Sequence, residues 1–155
     1  MVGNGHGWDT LGTSQTPRRG HFKALVPMIP EPSSDSRTRS TLEVVCRFND
    51  AFNRHDVDAV MALMTDNCAF ESTRPPPDGE RIEGRQGVAA FWESFFARSP
   101  QAQFETEEIF AVDDRCVVRW VYTWVKEGAP GHVRGVDIFR VRDGQVAEKL
   151  SYVKG

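Results

Sequence analysis

The stretch Arg134-Gly135-Val136-Asp137-Ile138-Phe139-Arg140-Val141-Arg142-Asp143-Gly144 runs directly into Gln145 to Val153, and its alternation sets the fold of the C-terminal half. Strand side chains point to opposite faces with period two, so Val133, Asp137, Phe139 and Val141 share one side and His132, Arg134, Ile138 and Arg140 the other. Asp143-Gly144 is a two-residue hairpin signal, which makes Gln145 to Val153 the returning strand. The apolar side holds a single carboxylate. Burying one costs several kcal/mol unless it is hydrogen-bonded or protonated. Asp137 therefore has three readings: a satisfied structural acid bonded to Tyr122 or a backbone amide, a general acid or base, or a group that orients a partner.

The same period recurs upstream. Phe104 to Val112 and Cys116 to Val125 read as strands joined by Asp113-Asp114, and Gly128-Ala129-Pro130-Gly131 forms the loop to a strand over Val133 to Arg142. The Cys116 strand carries Val118, Trp120, Tyr122 and Trp124 on one face and Val117, Arg119, Val121, Thr123 and Val125 on the other. Its rings either pack as core against helices or line an apolar pocket for a planar or polycyclic small molecule. On the last strand Lys149, Ser151 and Tyr152 lie within reach of such a pocket, with both alternating sets open as the inward one.

Before the strands the period is helical. Ser40-Thr41-Leu42-Glu43 is a capping-box pattern, and Leu42, Val45, Phe48 and Phe52 then recur at helical spacing, which predicts a helix to about Asn53. Asp56 caps a second helix, Val57 to Met64. A short strand, Cys68 to Ser72, follows; with Phe70 in the core, Ser72 points inward and Glu71 outward. Proline removes ladder donors, so Arg74-Pro75-Pro76-Pro77-Asp78-Gly79 is a rim loop. A third helix spans Arg85 to Ala97 with Val88, Phe91, Trp92 and Phe95 as its apolar stripe. Helices first and a meander of strands last predict an α+β fold, a cone-shaped curved antiparallel sheet with three N-terminal helices packed on its concave face.

Residues 1 to 37 are rich in Gly, Pro, Ser and Thr without periodicity and read as a flexible tail, with residues 38 to 155 as the folded domain. Within the tail, Phe22 to Ile29 is apolar enough to dock on the domain or on a second subunit. The net charge of -3 disfavours nucleic acid. Cys46, Cys68 and Cys116 are odd in number and set in apolar sequence, as reduced core thiols are. No apolar run approaches the roughly 18 residues of a membrane span, and Pro27 and Pro30 interrupt the short apolar segment after Arg18-Arg19. These features predict a cytoplasmic protein without membrane contact. His55 and His132 sit near no nucleophile or carboxylate at a triad or metal spacing, and no glycine-rich phosphate loop is present, so neither a metal nor a cofactor is expected.

Three patterns, Phe52-Asn53-Arg54-His55-Asp56-Val57-Asp58-Ala59-Val60, Gly84-Arg85-Gln86-Gly87-Val88 and Val136-Asp137-Ile138-Phe139-Arg140, together with the element order resemble the nuclear transport factor 2-like superfamily over residues 38 to 155, in particular its SnoaL-like polyketide cyclase and ketosteroid isomerase branch. The resemblance puts Asp137 on the strand acid that hydrogen-bonds the substrate oxyanion in ketosteroid isomerases. The tyrosine and base positions of that site fall on Phe48 and Ser72. The Arg-x-Asp pair of limonene-type epoxide hydrolases is absent, since that strand reads Trp120-Val121-Tyr122. The resemblance turns Trp120, Tyr122 and Trp124 toward a cavity and leaves the opposite sheet face for a homodimer. It implies acid/base catalysis by Asp137 on a small hydrophobic carbonyl compound, with Phe48, Phe52, Ser72, Trp92, Trp120, Tyr122, Trp124 and Phe139 as the substrate-binding wall. The alternative is a noncatalytic small-molecule-binding or dimerisation module on the same fold.

Overall fold

The computed structural model describes residues 34–154. Two helices, α1 (Ser34–Asn53) and α2 (Val57–Ala62), precede β1 (Met64–Glu71), the short β2 (Arg81–Glu83) and α3 (Arg85–Arg98). A meander of β3 (Gln103–Val112), β4 (Arg115–Lys126), β5 (Ala129–Arg142) and β6 (Gln145–Val153) completes the chain. The strands form one curved, unclosed sheet in the order β2-β1-β6-β5-β4-β3. The α+β architecture is the one the periodicity predicts, but the sheet is mixed: β1 pairs with β6 in parallel, while the other neighbours are antiparallel. Parallel neighbours need a long crossover, which α3 and the meander provide.

Several boundaries differ from those read in sequence. α1 begins at Ser34, and Ser40 lies exposed within it rather than capping it. The extra turn is held by tertiary anchors: the Thr41 hydroxyl donates to the Asp113 carbonyl at 2.7 Å, and the Asp113 N–H donates to Thr38 Oγ1 at 2.9 Å. Of the expected tail, residues 34–37 are therefore helical; its remainder, including Phe22 to Ile29, lies outside the described residues. α2 stops at Ala62 because the Leu63 N–H closes on the Val60 carbonyl, and β1 starts at Met64 against Val146. β2 was not evident from periodicity, being only 3 residues long. The β4–β5 connection is shorter than expected: Glu127 and Gly128 both adopt positive φ, the requirement of a tight hairpin turn, and the ladder continues through Pro130 and Gly131.

The core lies between α1, α3 and one face of the sheet. Phe48 is fully buried and meets Trp92 edge-on at 5.6 Å and Phe139 at 5.3 Å. Truncating such a ring to Ala costs about 3–5 kcal/mol. At the end of α1 the Asn53 amide clamps β3, donating to the Phe104 carbonyl at 2.8 Å and accepting from its N–H at 2.9 Å. His55 ends the helix with φ 57 and bonds the Ala102 carbonyl through Nε2 at 2.8 Å. Among the described residues no helix is long and apolar enough to cross a membrane.

Candidate functional site

Alternation along β4 turns Val118, Trp120, Tyr122 and Trp124 to the helix side, opposite Asp137, Gly135, Val133 and Gly131 of β5. On β3 a bulge at Glu107 leaves Phe104 and Thr106 on that same side, where Phe104 stacks on Tyr122 at 4.8 Å. These rings, with Phe52 of α1 and Trp92 of α3, enclose a cavity of about 950 Å³. Phe52, Ser72, Trp92, Trp120, Tyr122, Trp124 and Asp137 all line it. Phe48 and Phe139 do not: both are 0% exposed and form the layer beneath the wall. The resemblance that places them on the wall gives the direction of these side chains but not their depth.

Ser72 lies inward beside the cavity and Glu71 outward toward Arg81 at 3.7 Å. The Ser72 hydroxyl is committed to the loop. It donates to the Arg74 carbonyl at 2.6 Å and accepts from the Glu80 N–H at 3.2 Å, while the Ser72 N–H bonds the Glu80 carbonyl at 2.9 Å. Gly79 closes the loop at φ +78, where a Cβ would fall 1.8 Å from the Ser72 carbonyl oxygen. Thr73, Arg74, Pro75 and Pro76 are thereby held at the cavity wall.

Asp137 is buried but not alone. Lys149 Nζ lies 2.8 Å from its Oδ2, the Ser151 hydroxyl donates to its Oδ1 at 2.7 Å, and Lys149 also donates to Ser151 Oγ at 2.7 Å. The side chains of Lys149 and Asp137 are 7% and 9% exposed, so this is an ion pair in a largely desolvated setting. The Lys149 ammonium also stands 5.1 Å from the Phe70 ring centroid, 5.7 Å from Phe139 and 5.9 Å from Phe52. Ring faces attract a cation. Two of the three ammonium protons have protein acceptors here, and each carboxylate oxygen keeps acceptor capacity, so the pair can still meet a ligand.

Alternation alone leaves the orientation of Lys149 and Ser151 open, because a β-bulge lies between them and the hairpin. Next to the hairpin Arg142 pairs with Gln145 and Val141 with Val146, but Arg140 then pairs with Glu148, leaving Ala147 as the extra residue. Counting back from the turn without the bulge sets Leu150 opposite Asp137. With it Ser151 takes that place, and Lys149 and Ser151 share the Asp137 face.

The cysteines stand apart from this chemistry. Burial pushes the Cys116 thiol up to about 12, and it raises Cys68 and Cys46 as well. Among the described residues no group of His, Cys, Asp and Glu is arranged to hold a metal ion.

The sequence profile of the SnoaL-like domain matches residues 45–149. Among solved structures, an NTF2-like protein of unknown function from Mesorhizobium loti is 41% identical, with a TM-score of 0.68 over 77% of this chain and 94% of that one. A Kribbella flavida protein provisionally named a ketosteroid isomerase is 21% identical, with a TM-score of 0.65 over 76% of this chain and 80% of its own. A Xanthomonas campestris pv. campestris protein provisionally named a polyketide cyclase is 24% identical, with a TM-score of 0.63 over 76% and 93%. The last two share the fold with this chain. No curated protein matches it.

Proposed function

The chain belongs to the SnoaL-like domain family, and on that premise we propose that its cavity takes a small hydrophobic carbonyl compound and moves a proton on it without a cofactor. The observation that carries this reading is the Asp137–Ser151–Lys149 network on the wall of an aromatic cavity of about 950 Å³. A cavity of that size suits a drug-sized apolar ligand. Desolvation strengthens any hydrogen bond between Lys149 and a ligand oxygen. In the reaction Asp137 takes the proton from the carbon next to the carbonyl, the electron pair moves onto the carbonyl oxygen, and the Lys149 ammonium stabilises the enolate. Asp137 then returns the proton to the same or a neighbouring position. Ser151 holds the carboxylate in place.

Compared with the reading from sequence, the acid acquires a basic partner, Lys149, at 2.8 Å. The names given to the Kribbella and Xanthomonas proteins agree with isomerase- or cyclase-type chemistry on such compounds.

The mutual satisfaction of Asp137, Ser151 and Lys149 also suits a second reading, a noncatalytic binding pocket in which the network is structural. Native mass spectrometry of the purified protein, followed by turnover assays on the identified ligand, separates the two. Asp137→Asn abolishes turnover while retaining the ligand if the first holds; unchanged turnover refutes it.

We further propose a homodimer through the outer sheet face, where Phe110, Val117, Ile138 and Leu150 form one cross-strand rung and Phe110 is 50% exposed. Charged pairs such as Arg119–Glu108 and Arg140–Asp114 flank that rung. The reduced, partly buried thiols support a cytoplasmic location.

A further inference from the structure

Two glycines of β5 face tryptophans of β4 in register: Gly131 opposite Trp124 and Gly135 opposite Trp120. Glycine in a strand interior weakens it, and it is retained where φ is positive or where another group approaches closely. Neither residue is among the glycines with positive φ, so conformation does not require it. Space does. A Cβ at Gly131 would stand 2.6–2.8 Å from three atoms of the Trp124 indole. At Gly135 it would stand 2.3 and 2.4 Å from the Trp120 ring and 2.4 Å from the Tyr152 carbonyl oxygen. Carbon atoms normally approach no closer than about 3.5 Å. Each indole therefore lies over the backbone of the neighbouring strand, in the space that a side chain would occupy.

We propose that Gly131 and Gly135 are specificity-determining residues: they seat Trp124 and Trp120 against the sheet and thereby set the width of the cavity at two depths. The proposal rests on the reading that the cavity receives a ligand. Trp120 is 5% exposed and forms the inner seat, whereas Trp124 is 36% exposed and forms the outer one. A ring displaced from the sheet has the cavity as its free side, so a methyl group at Gly131 narrows the entrance without touching Asp137 or Lys149. The ligand class that follows is a flat polycyclic compound, long enough to reach both the inner and the outer indole, and a smaller ligand is indifferent to the change.

Gly131→Ala is the informative variant, because the atoms it meets belong to one side chain. Gly135→Ala also meets backbone and is unsuited to the test. The probes are 9-fluorenone, a flat tricyclic ketone, and cyclohexanone, with dissociation constants from NMR titration and the Trp124 indole N–H resonance followed in the same spectra. The expected result is a displaced Trp124 resonance, at least tenfold weaker 9-fluorenone binding, and cyclohexanone binding within twofold of the unmodified protein. Once Trp124→Ala is present, adding Gly131→Ala changes 9-fluorenone binding by less than twofold. An unmoved Trp124 resonance, or equal loss of both probes, overturns the size filter while the pocket reading stands. Failure of the unmodified protein to bind either ketone overturns the pocket reading and the filter with it.

Discussion

Removing one member of the Asp137–Lys149 pair should cost far more than removing both. At 2.8 Å the gross attraction is about 6 kcal/mol for an effective dielectric near 20, and the desolvation of both ions opposes it. Asp137→Asn leaves the Lys149 ammonium among Phe70, Phe139 and Phe52 with no counter-charge. Lys149→Met leaves the carboxylate with the Ser151 hydroxyl alone. Each single change should destabilise the domain by about 3–5 kcal/mol, whereas an uncharged pair of similar volume is near neutral. The double variant Asp137→Asn/Lys149→Met should therefore lie within about 1 kcal/mol of the unmodified protein, a coupling energy of several kcal/mol in the double-mutant cycle. Urea titrations of the four proteins provide the measurement, with midpoints compared at constant slope. Thermal midpoints should fall by roughly 10 °C in each single variant. Additive effects, or single changes below about 1 kcal/mol, would show that the pair is hydrated and would remove the desolvated network from the account.

Asn53→Ala should cost about 2–3 kcal/mol, since it strips both backbone partners from Phe104; chemical denaturation reads it, and loss below about 0.5 kcal/mol contradicts the clamp. Ser72→Ala should loosen the proline loop, with faster proteolysis at residues 73–79 and a stability loss of about 1–2 kcal/mol. Cys116 gives a pH signature. Burial lifts its folded value to about 12, above the ordinary thiol value of 9.0, so the unfolded chain loses its proton first as pH rises. Its contribution is fully present below about pH 9 and declines above it by about 1.4 kcal/mol per pH unit until the folded thiol titrates. Cys116→Ala should flatten the alkaline slope of stability by that amount; an unchanged slope refutes the assignment. Phe110→Arg should shift a dimer to monomer in multi-angle light scattering, and a protein monomeric at all concentrations without the substitution contradicts the sheet interface.

The strands were legible because β4 and β5 alternate cleanly, and with them the inward turn of Trp120, Tyr122, Trp124 and Asp137. Phe70 and Ser72 against Glu71 followed from the same rule. What sequence could not carry was register. The bulge at Ala147 has no glycine or proline to announce it, yet it reverses the face of Lys149 and Ser151 and so decides whether Asp137 is lone or paired. Depth was equally hidden, as Phe48 and Phe139 show. α1 begins early because Thr38 and Thr41 find partners on Asp113, far along the chain, and such contacts outweigh a local capping box.

The central claim is that Asp137 and Lys149 move a proton on a carbonyl compound held in the aromatic cavity. Hydrogen–deuterium exchange at the carbon next to the carbonyl of α-tetralone, followed by NMR in deuterated buffer, tests it most directly. The account predicts exchange well above the buffer rate with the unmodified protein, and exchange at the buffer rate with the folded Asp137→Asn/Lys149→Met protein when each is saturated with the ketone. Equal exchange by the two proteins, or exchange at the buffer rate by the unmodified protein with the ketone bound, would contradict it.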